Sequence, residues 1–212
     1  MKYLRRLEEY HVKKEGIGFE LSELGDLTEL GGELKIFNLE NVTTREEANE
    51  AKLMIKTNLK TLKLVWSVVQ RTTRSDVLDG LQPPPNLKTL VIINHGGSVG
   101  PSWLCSYICV KYLKSFHLEG VCWGNLPLFG QLVQLEELTL KSISGIHQFG
   151  PDFGGVTQKS ISHLKKVELI NMPDLVEWVG GAHCHLFSKI TSIKCENLSI
   201  FYLSIYLLSI IY

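Results

Sequence analysis

The spacing of apolar residues in the stretch QLEELTLKSI, residues 134–143, constrains the fold more than any other feature of the sequence. Apolar side chains stand at Leu135, Leu138, Leu140 and Ile143, at offsets of 0, 3, 5 and 8 residues. An amphipathic helix has a period of about 3.6 residues and a half-buried strand a period of about 2, so neither describes this stretch. The spacing is typical of a repeat unit in which a short strand turns a corner and buries the residue after it.

The same spacing recurs and gives seven units in one register. Their first positions are residues 31, 59, 87, 113, 135, 164 and 190, so successive units are 22 to 29 residues apart. This range matches the roughly 20–29 residues of a leucine-rich repeat. The sequence therefore predicts an α/β fold, a leucine-rich-repeat solenoid or horseshoe with a parallel concave sheet and mostly irregular convex connectors. Strands are expected near residues 33–37, 60–65, 88–93, 114–119, 136–141, 165–170 and 191–196.

These units predict one repeat domain at residues 1–198, followed by an apolar tail at residues 199–212. An earlier, less regular unit is expected to begin at Leu4 and Leu7, and the fourth place is polar in the units that start at residues 59 and 87. The tail contains no charge, glycine or proline, but it is shorter than the ~20 residues that span a bilayer. A last buried strand or helix, a membrane-seeking tail and a misread gene end all stay open for it.

The connector at residues 43–56 is the one that predicts a clear helix. Thr44 and Glu47 have the spacing of a capping box, and Ala48, Ala51 and Ile55 share one helical face. The other connectors are rich in glycine and proline and are expected to be mostly irregular. Residues 76–81 are expected to form one or two helical turns, with Leu78 and Leu81 facing inward.

The charge balance and the cysteine pattern limit the classes of partner and the compartment. Lys plus Arg and Asp plus Glu both number 22, and this balance argues against a nucleic-acid binder and gives little support for a membrane anchor. The five cysteines are odd in number and irregular in spacing, unlike a secreted disulfide framework. The first 16 residues are charged throughout and lack the apolar segment of a signal peptide. We therefore expect a cytoplasmic protein that contacts no membrane except through residues 199–212.

Several connectors carry more identity than the leucines do. The segments GELKIFNLENVTTREEANEAKL (32–53), NLKTLKLVW (58–66), VLDGLQPPPNLKTLVI (77–92) and LPLFGQLVQLEELTL (126–140) occur in this order. Together they resemble the repeat region of plant disease-resistance proteins of the coiled-coil nucleotide-binding leucine-rich-repeat class. The resemblance covers residues 1–198, but the chain contains no GxxxxGK[ST] phosphate loop, so nucleotide binding is not implied for it.

This resemblance implies a recognition and regulatory module of plant innate immunity. Its expected partner is a protein: a pathogen effector, a host protein that the receptor monitors, or the nucleotide-binding and coiled-coil domains of a related receptor. Two alternatives stay open, namely a substrate-binding adaptor of a ubiquitin ligase and a truncated, non-functional receptor remnant. The adaptor would need an F-box-like helical segment, which residues 1–30 do not show.

The residues between the inward leucines are expected to point outward on the concave face, where they would bind protein. Its first half is apolar, which often marks a docking site, although β-branched residues also simply suit strands. Its second half is charged and suits a wetter, more selective contact. We hypothesise that the apolar half docks a permanent neighbour and the charged half meets a variable ligand. The candidate residues are Phe37, Lys63, Val65, Val91, Ile93, His117, Glu119, Glu137, Thr139, Lys141, Lys166 and Glu168.

Catalytic and metal-binding signatures are weak or missing in the sequence. We find no GxSxG elbow, HExxH motif or phosphate loop, and we expect no enzyme activity and no cofactor. His183-Cys184-His185 and the pair Cys105 and Cys109 lack a convincing set of four ligands for zinc, so we expect no metal site. The four tryptophans, at positions 66, 103, 123 and 178, are expected to pack across the solenoid edge and not to contact a ligand.

Overall fold

Eight parallel strands form one open sheet in the computed structural model, which describes residues 4–14, 18–67, 76–105, 109–124, 126–149, 163–178, 190–198 and 202–203. The predicted leucine-rich-repeat solenoid is confirmed by this sheet, in which each of the seven units contributes one strand. The strands, in spatial order, are β1 (Glu9–His11), β2 (Gly32–Phe37), β3 (Leu59–Val65), β4 (Thr89–Ile93), β5 (Ser115–Glu119), β6 (Glu137–Lys141), β8 (Lys166–Met172) and β10 (Ser192–Leu198).

The inward side chains of successive strands stack into one continuous core. In β3 and β4, for example, Leu62 pairs in register with Leu90 and Leu64 with Ile92, and all four side chains are fully buried. Burial of a leucine or isoleucine side chain contributes about 1.5–3 kcal/mol. Because no single strand can bury such a row alone, each unit depends on its neighbours for stability.

A left-handed residue stands at the end of six of the seven unit strands, either just after the last strand residue or one residue before it. It stands seven places after the start of each unit, and the six residues with positive φ there are Asn38, Asn94, Gly120, Ser142, Asn171 and Asn197. Asparagine tolerates this conformation better than other non-glycine residues. The turns also contact each other, since Asn94 Nδ2 donates to Trp66 O at 3.3 Å. At position 120 a Cβ would overlap Asn94 Oδ1, and the positive φ of 63° also favours glycine there.

The start of the predicted helix at residues 43–56 is correct. Helix α2 (Arg45–Asn49) follows Thr44, whose side chain accepts a hydrogen bond from Glu47 N at 3.1 Å. The Glu47 carboxylate returns a bond to the backbone of Thr43, at 2.9 Å, one residue earlier than a standard capping box. Ala48 and Ala51 are fully buried, as their spacing predicts.

The length of that helix is wrong in the prediction. Lys52 adopts a left-handed conformation with φ of 47°, which ends the helical path, and a 3₁₀ turn (Leu53–Ile55) follows. The change of path buries Leu53 and leaves Ile55 47% exposed, so Ile55 does not share the buried face of the two alanines. Residues 43–56 therefore form two short helical pieces.

The described connectors contain three further short α-helices, α1 (Leu21–Gly25), α3 (Asp76–Gly80) and α4 (Ser102–Cys105), and two further 3₁₀ turns (Leu39–Asn41 and Phe129–Gln131). Leu78 and Leu81, at and just after α3, are fully buried as predicted. The Lys56 ammonium is fully buried too, and it donates to Leu24 O at 2.6 Å and to Leu27 O at 3.0 Å, where α1 ends. Burial lowers the pKa of Lys56 to about 8.

The amino-terminal unit has a different register from the expected one. Strand β1 pairs with β2 so that Tyr10 stands opposite Ile36. Tyr10 and Val12 are buried, whereas Leu4 is 37% exposed. The third inward place of the unit that was expected to begin at Leu4 and Leu7 is therefore Tyr10 and not residue 9, whereas Leu7 packs against the core and Val12 is buried at the places counted from Leu4. The Tyr10 hydroxyl donates to Glu20 O at 2.6 Å, which ties β1 to the start of α1.

A second, three-stranded parallel sheet lies in the later connectors. It consists of β7 (Gln148–Phe149), β9 (Glu177–Trp178) and β11 (Tyr202–Leu203), in the order β11-β9-β7. Strand β9 is therefore the central strand of this sheet. It pairs with β7 on one side and, on the other, with the two described residues of the apolar tail. The rest of residues 199–212 lies outside the described residues. Within the described part of the chain, no helix has the length and apolar character needed to cross a bilayer.

Candidate protein-binding face

The strand pairing aligns the outward residues in the three columns that the repeat register predicts. The first column is Glu33, Thr61, Thr89, Ser115, Glu137, Lys166 and Ser192; the middle column is Lys35, Lys63, Val91, His117, Thr139, Glu168 and Lys194; the third is Phe37, Val65, Ile93, Glu119, Lys141, Ile170 and Glu196. Strand β1 adds Glu9 to the middle column and His11 to the third. All twelve candidate residues lie on this face. That they bind protein stays a prediction.

The apolar patch, which we define as Phe37, Val65, Val91 and Ile93, occupies the first half of the face. Val65 and Ile93 stand opposite each other on β3 and β4, and Val91 lies two residues before Ile93. All four side chains are half-buried, so each leaves part of its surface open to solvent. The His11 ring stacks on Phe37, with ring centres 4.7 Å apart and planes 12° apart. The patch therefore begins at Phe37 on β2, where the His11 ring stacks on it, and continues over β3 and β4.

The second half of the face carries charges that are paired with one another. Glu119 accepts from Lys141 Nζ at 2.8 Å and lies 3.1 Å from His117 Nε2. Partial burial raises the pKa of Glu119, but the hydrogen bonds from Lys141 and His117 outweigh this effect and the net pKa is lowered. Glu168 accepts from Thr139 Oγ1 and from Lys166 Nζ, both at 3.0 Å. A partner here meets oriented polar groups in place of mobile ones.

The leading edge of the sheet, directly before the first column, is a further row. This row contains, in order, Lys60, Lys88, Lys114, Glu136 and Lys165. From Lys88 onward, the backbone N–H of each residue donates to the carbonyl of the residue before it in the row, at 2.8 Å. Glu136 accepts from Lys114 and Lys165, both at 2.7 Å, and these two hydrogen bonds lower its pKa to about 2. Next to it, Ser115 Oγ donates to Glu137 at 3.1 Å. The register of the repeats thus collects four lysines and one glutamate along this edge.

A buried aromatic stack supports the apolar patch from the end of its strands. Trp66 directly follows Val65, His95 lies two residues after Ile93, and both side chains are fully buried together with Trp123. Trp123 Nε1 donates to His95 Nδ1 at 2.9 Å, and the His95 ring meets Trp66 edge-on at 4.9 Å between ring centres. Because Nδ1 accepts, the proton of neutral His95 is on Nε2. Sequence reasoning did not single out His95, although it fills the normally buried fourth place of its unit.

The other tryptophans and the cysteines show mixed agreement with expectation. Trp103 is fully buried, as are Trp66 and Trp123, which agrees with the expected packing role of these three; the side chain of Trp178 lies outside the described residues. Cys195 pairs in register with Leu169, yet it is exposed because β10 is the final strand of the sheet. Residues 183–185 lie outside the described residues. In the described ranges no three His, Cys, Asp or Glu side chains converge on a metal position.

The repeats match a known family of sequence models. The model described as R13L1/DRL21 LRRs matches residues 21–143, which is more than half of the 212 residues and spans β2 to β6. The chain belongs to the R13L1/DRL21 leucine-rich-repeat family. Members of this fold and family are typically protein-interaction modules and not enzymes.

Three relatives of this R13L1/DRL21 domain are plant proteins. It is 26% identical to the putative disease resistance RPP13-like protein 1 of Arabidopsis thaliana, over 86% of this chain and 19% of the relative. It is 31% identical to the putative disease resistance protein RGA1 of Solanum bulbocastanum, over 84% and 18%, and 33% identical to RGA4 of the same species, over 72% and 16%. The resemblance to the repeat region of plant disease-resistance proteins is thereby confirmed. The chain spans less than a fifth of the length of these relatives.

A solved structure titled "Crystal structure of TLR13-ssRNA13 complex" also resembles the R13L1/DRL21 domain. The likeness covers 97% of this chain and 35% of that chain, with a TM-score of 0.42 and 15% identity. A likeness of this degree supports no inference about what this chain binds.

The stability of the R13L1/DRL21 domain should fall between pH 7 and pH 5 because of His95. Burial lowers the pKa of His95 to about 4 from 6.5, and the charge of Asp79 opposes this only in part. The unfolded chain therefore takes up a proton first as the pH falls, and stability present above pH 6.5 is lost on the way to pH 4. About 2 kcal/mol of the free energy of unfolding should be lost by pH 5 from this group alone.

Urea unfolding at pH 7 and pH 5 measures this loss, and His95→Asn is the matched variant. Asparagine offers Trp123 an acceptor oxygen but does not titrate. The variant should lose about 2 kcal/mol less than the wild type between the two pH values. An equal loss in both proteins would show that His95 does not cause the acid sensitivity.

Proposed function

We propose that this chain is a protein-recognition and regulatory module of plant innate immunity. It binds a pathogen-derived or host protein, neighbouring receptor domains, or both, through the concave face, and it acts without catalysis. The support is the membership of the R13L1/DRL21 family together with relatives that are plant disease-resistance proteins. A cytoplasmic location belongs to the same proposal and rests on the odd, irregular cysteines and the family resemblance.

The division of the concave face into two halves is the observation that carries this proposal. The apolar patch is partly exposed to water, and a partner that covers it lowers the free energy of the system. This favours a lasting contact at the patch. The paired network of Glu119, Lys141 and Glu168 is hydrated and geometrically fixed, which favours selective and reversible contacts. We therefore assign receptor domains to the apolar patch and a variable protein ligand to the charged half.

This arrangement gives the module a regulatory mechanism. A ligand that contacts the charged half changes the equilibrium between a docked and a released patch, provided that it binds one state more tightly than the other. Both contacts use the same rigid sheet, in which Ile93 and Glu119 stand opposite each other on β4 and β5. The two ligands are thus close enough to compete sterically at that boundary.

A double charge substitution in the patch tests the proposal. Val65→Glu with Ile93→Glu should weaken docking to the nucleotide-binding domain of a related receptor by about 100-fold or more, because two buried contacts are replaced by unpaired carboxylates. Isothermal titration calorimetry with the two purified proteins measures the dissociation constant.

The chain offers a matched control for this experiment. Val99 and Val133 are 61% and 47% exposed and lie outside the patch, so Val99→Glu with Val133→Glu makes the same change in charge. The control variant should bind as the wild type does. Unchanged binding by the Val65 and Ile93 variant would refute the assignment of the patch.

A further inference from the structure

The lysines of the concave face and its leading edge fall into two groups according to their partners. Six have Nζ between 2.7 and 3.6 Å from a carboxylate oxygen: Lys35, Lys114, Lys141, Lys165, Lys166 and Lys194. Among the residues that the structure describes, Lys60, Lys63 and Lys88 have no carboxylate within 4.0 Å. The lysines of this surface therefore have acidic partners on every described strand that carries one, except on β3 and at the start of β4.

The three unpaired lysines, which we call the basic strip, lie on two adjacent strands, with Lys60 and Lys88 at the leading edge and Lys63 in the middle column. Lys60 and Lys88 lie on adjacent strands, joined by a backbone hydrogen bond of 2.8 Å, so their Cα atoms are about 5 Å apart. Lys63 is three residues along β3 from Lys60 and stands opposite Val91 of the apolar patch. The Lys88 ammonium also lies 5.0 Å from the centre of the Tyr112 ring, which is half exposed. The strip thus reaches the patch through Lys63.

Like charges on adjacent strands repel each other, and the repulsion grows when a partner displaces water from the apolar surface beside them. A partner that covers the patch must therefore bring negative charge to the strip or leave these lysines less solvated and unpaired. We propose that the basic strip and the apolar patch together dock an acidic protein segment that carries apolar side chains. This inference rests on the proposed function, since it gives the chemistry of the partner that covers the patch.

A nucleic acid or a membrane surface suits this place less well. The strip contains three lysines only, the chain has no net charge, and Glu33 lies on β2, the strand next to β3. A nucleic-acid site normally extends a basic row along the backbone of its ligand and interleaves several aromatic rings with it. Val65, Val91 and Ile93 would stay uncovered in such a complex. An extended acidic segment of a protein satisfies both halves of the surface.

A displayed library of random 16-residue peptides, selected on the intact 212-residue chain, tests the inference. The selected peptides should be enriched in Asp and Glu together with Leu, Ile, Val or Phe. Their dissociation constants should rise about tenfold or more in the variant Lys60→Glu, Lys63→Glu, Lys88→Glu, because three attractions become repulsions. Raising the salt concentration should also weaken binding to the wild type.

A matched control separates the strip from net charge. Arg5, Arg6 and Arg45 are exposed and make no ion pair with a described residue, so their combined change to Glu alters the net charge equally. This control should bind the selected peptides as the wild type does, and far-ultraviolet circular dichroism should show both variants folded. Selected peptides without acidic enrichment, or peptides that bind the lysine variant as tightly as the wild type, would overturn the inference.

Two further results distinguish this failure from others. If a single-stranded 20-nucleotide DNA binds the wild type more tightly than the peptides and the lysine variant loses it, the strip is a nucleic-acid site and the inference is wrong. If the lysine variant keeps the receptor-domain docking that the Val65 and Ile93 variant loses, the acidic partner is wrong while the proposed function stands.

Discussion

Replacing Trp123 with alanine should lower the free energy of unfolding by about 4 kcal/mol, since truncation of a buried tryptophan typically costs about 3–5 kcal/mol. The side chain is fully buried and it packs against the Gly100 backbone, where a Cβ would lie 2.8 Å from the indole ring. The loss of this side chain leaves a cavity between connectors. It also removes the indole N–H that donates to His95 Nδ1. Urea unfolding at pH 7, followed by tryptophan fluorescence and circular dichroism, measures the change.

The variant Trp123→Phe separates the two causes. Phenylalanine fills most of the volume but cannot donate to His95 Nδ1, so we expect a loss of about 1–2 kcal/mol. Because Trp66 and His95 stand at the ends of β3 and β4, Trp123→Ala should also weaken docking to the apolar patch. A loss below about 1 kcal/mol for Trp123→Ala would mean that the stack does not support the core as described.

The outward residues of the concave face could be predicted because the positions of the inward leucines determine them in every unit. Once Leu138 and Leu140 are inward, alternation along the strand places Glu137, Thr139 and Lys141 outward. The strand pairing shows the same columns in every unit. What the spacing cannot give is the partner of each outward side chain. The contrast between paired Lys114 and unpaired Lys88 emerged only from the atomic positions.

The broken helix at residues 43–56 shows where local signals end. Thr44 and Glu47 mark the start because capping is a contact between near neighbours. The end has no such mark, since neither glycine nor proline occurs before Lys52 turns left-handed. That turn lets Leu53 reach the core formed with other units, a requirement that lies outside the segment itself. The recurring asparagine seven places into the units was visible in the sequence and could have predicted the left-handed turns.

His95 was missed for a different reason. A polar residue in the fourth place indicates an open position when each unit is considered separately. In the fold, Trp66 of the unit before and Trp123 of the unit after enclose the ring and satisfy its Nδ1. Three units must be aligned before this contact exists, and side-chain length decides it. Spacing within one unit therefore predicts the sheet well and the connectors poorly.

The contact between two of these connectors gives the second large effect, at Gly80. Replacing Gly80 with valine should lower the free energy of unfolding by about 3 kcal/mol. Gly80 ends α3 where it meets α2, and a Cβ there would lie 2.7 Å from Ala48 Cβ and 2.5 Å from Arg45 O. Helix propensity favours alanine over glycine by up to about 1 kcal/mol. The overlap is with a backbone carbonyl, which cannot rotate away, so Gly80→Ala should still destabilise the fold, by about 2 kcal/mol.

Gly124 provides the matched control, because the nearest atom to a Cβ at that position is Ser98 O at 3.9 Å. Gly124→Val should therefore change the free energy of unfolding by no more than about 0.5 kcal/mol. Urea unfolding of the three variants beside the wild type gives the comparison. If Gly80→Ala proves as stable as the wild type, α2 and α3 do not pack closely, and the Arg45–Asn49 helix is held by its cap and by burial of Ala48 alone.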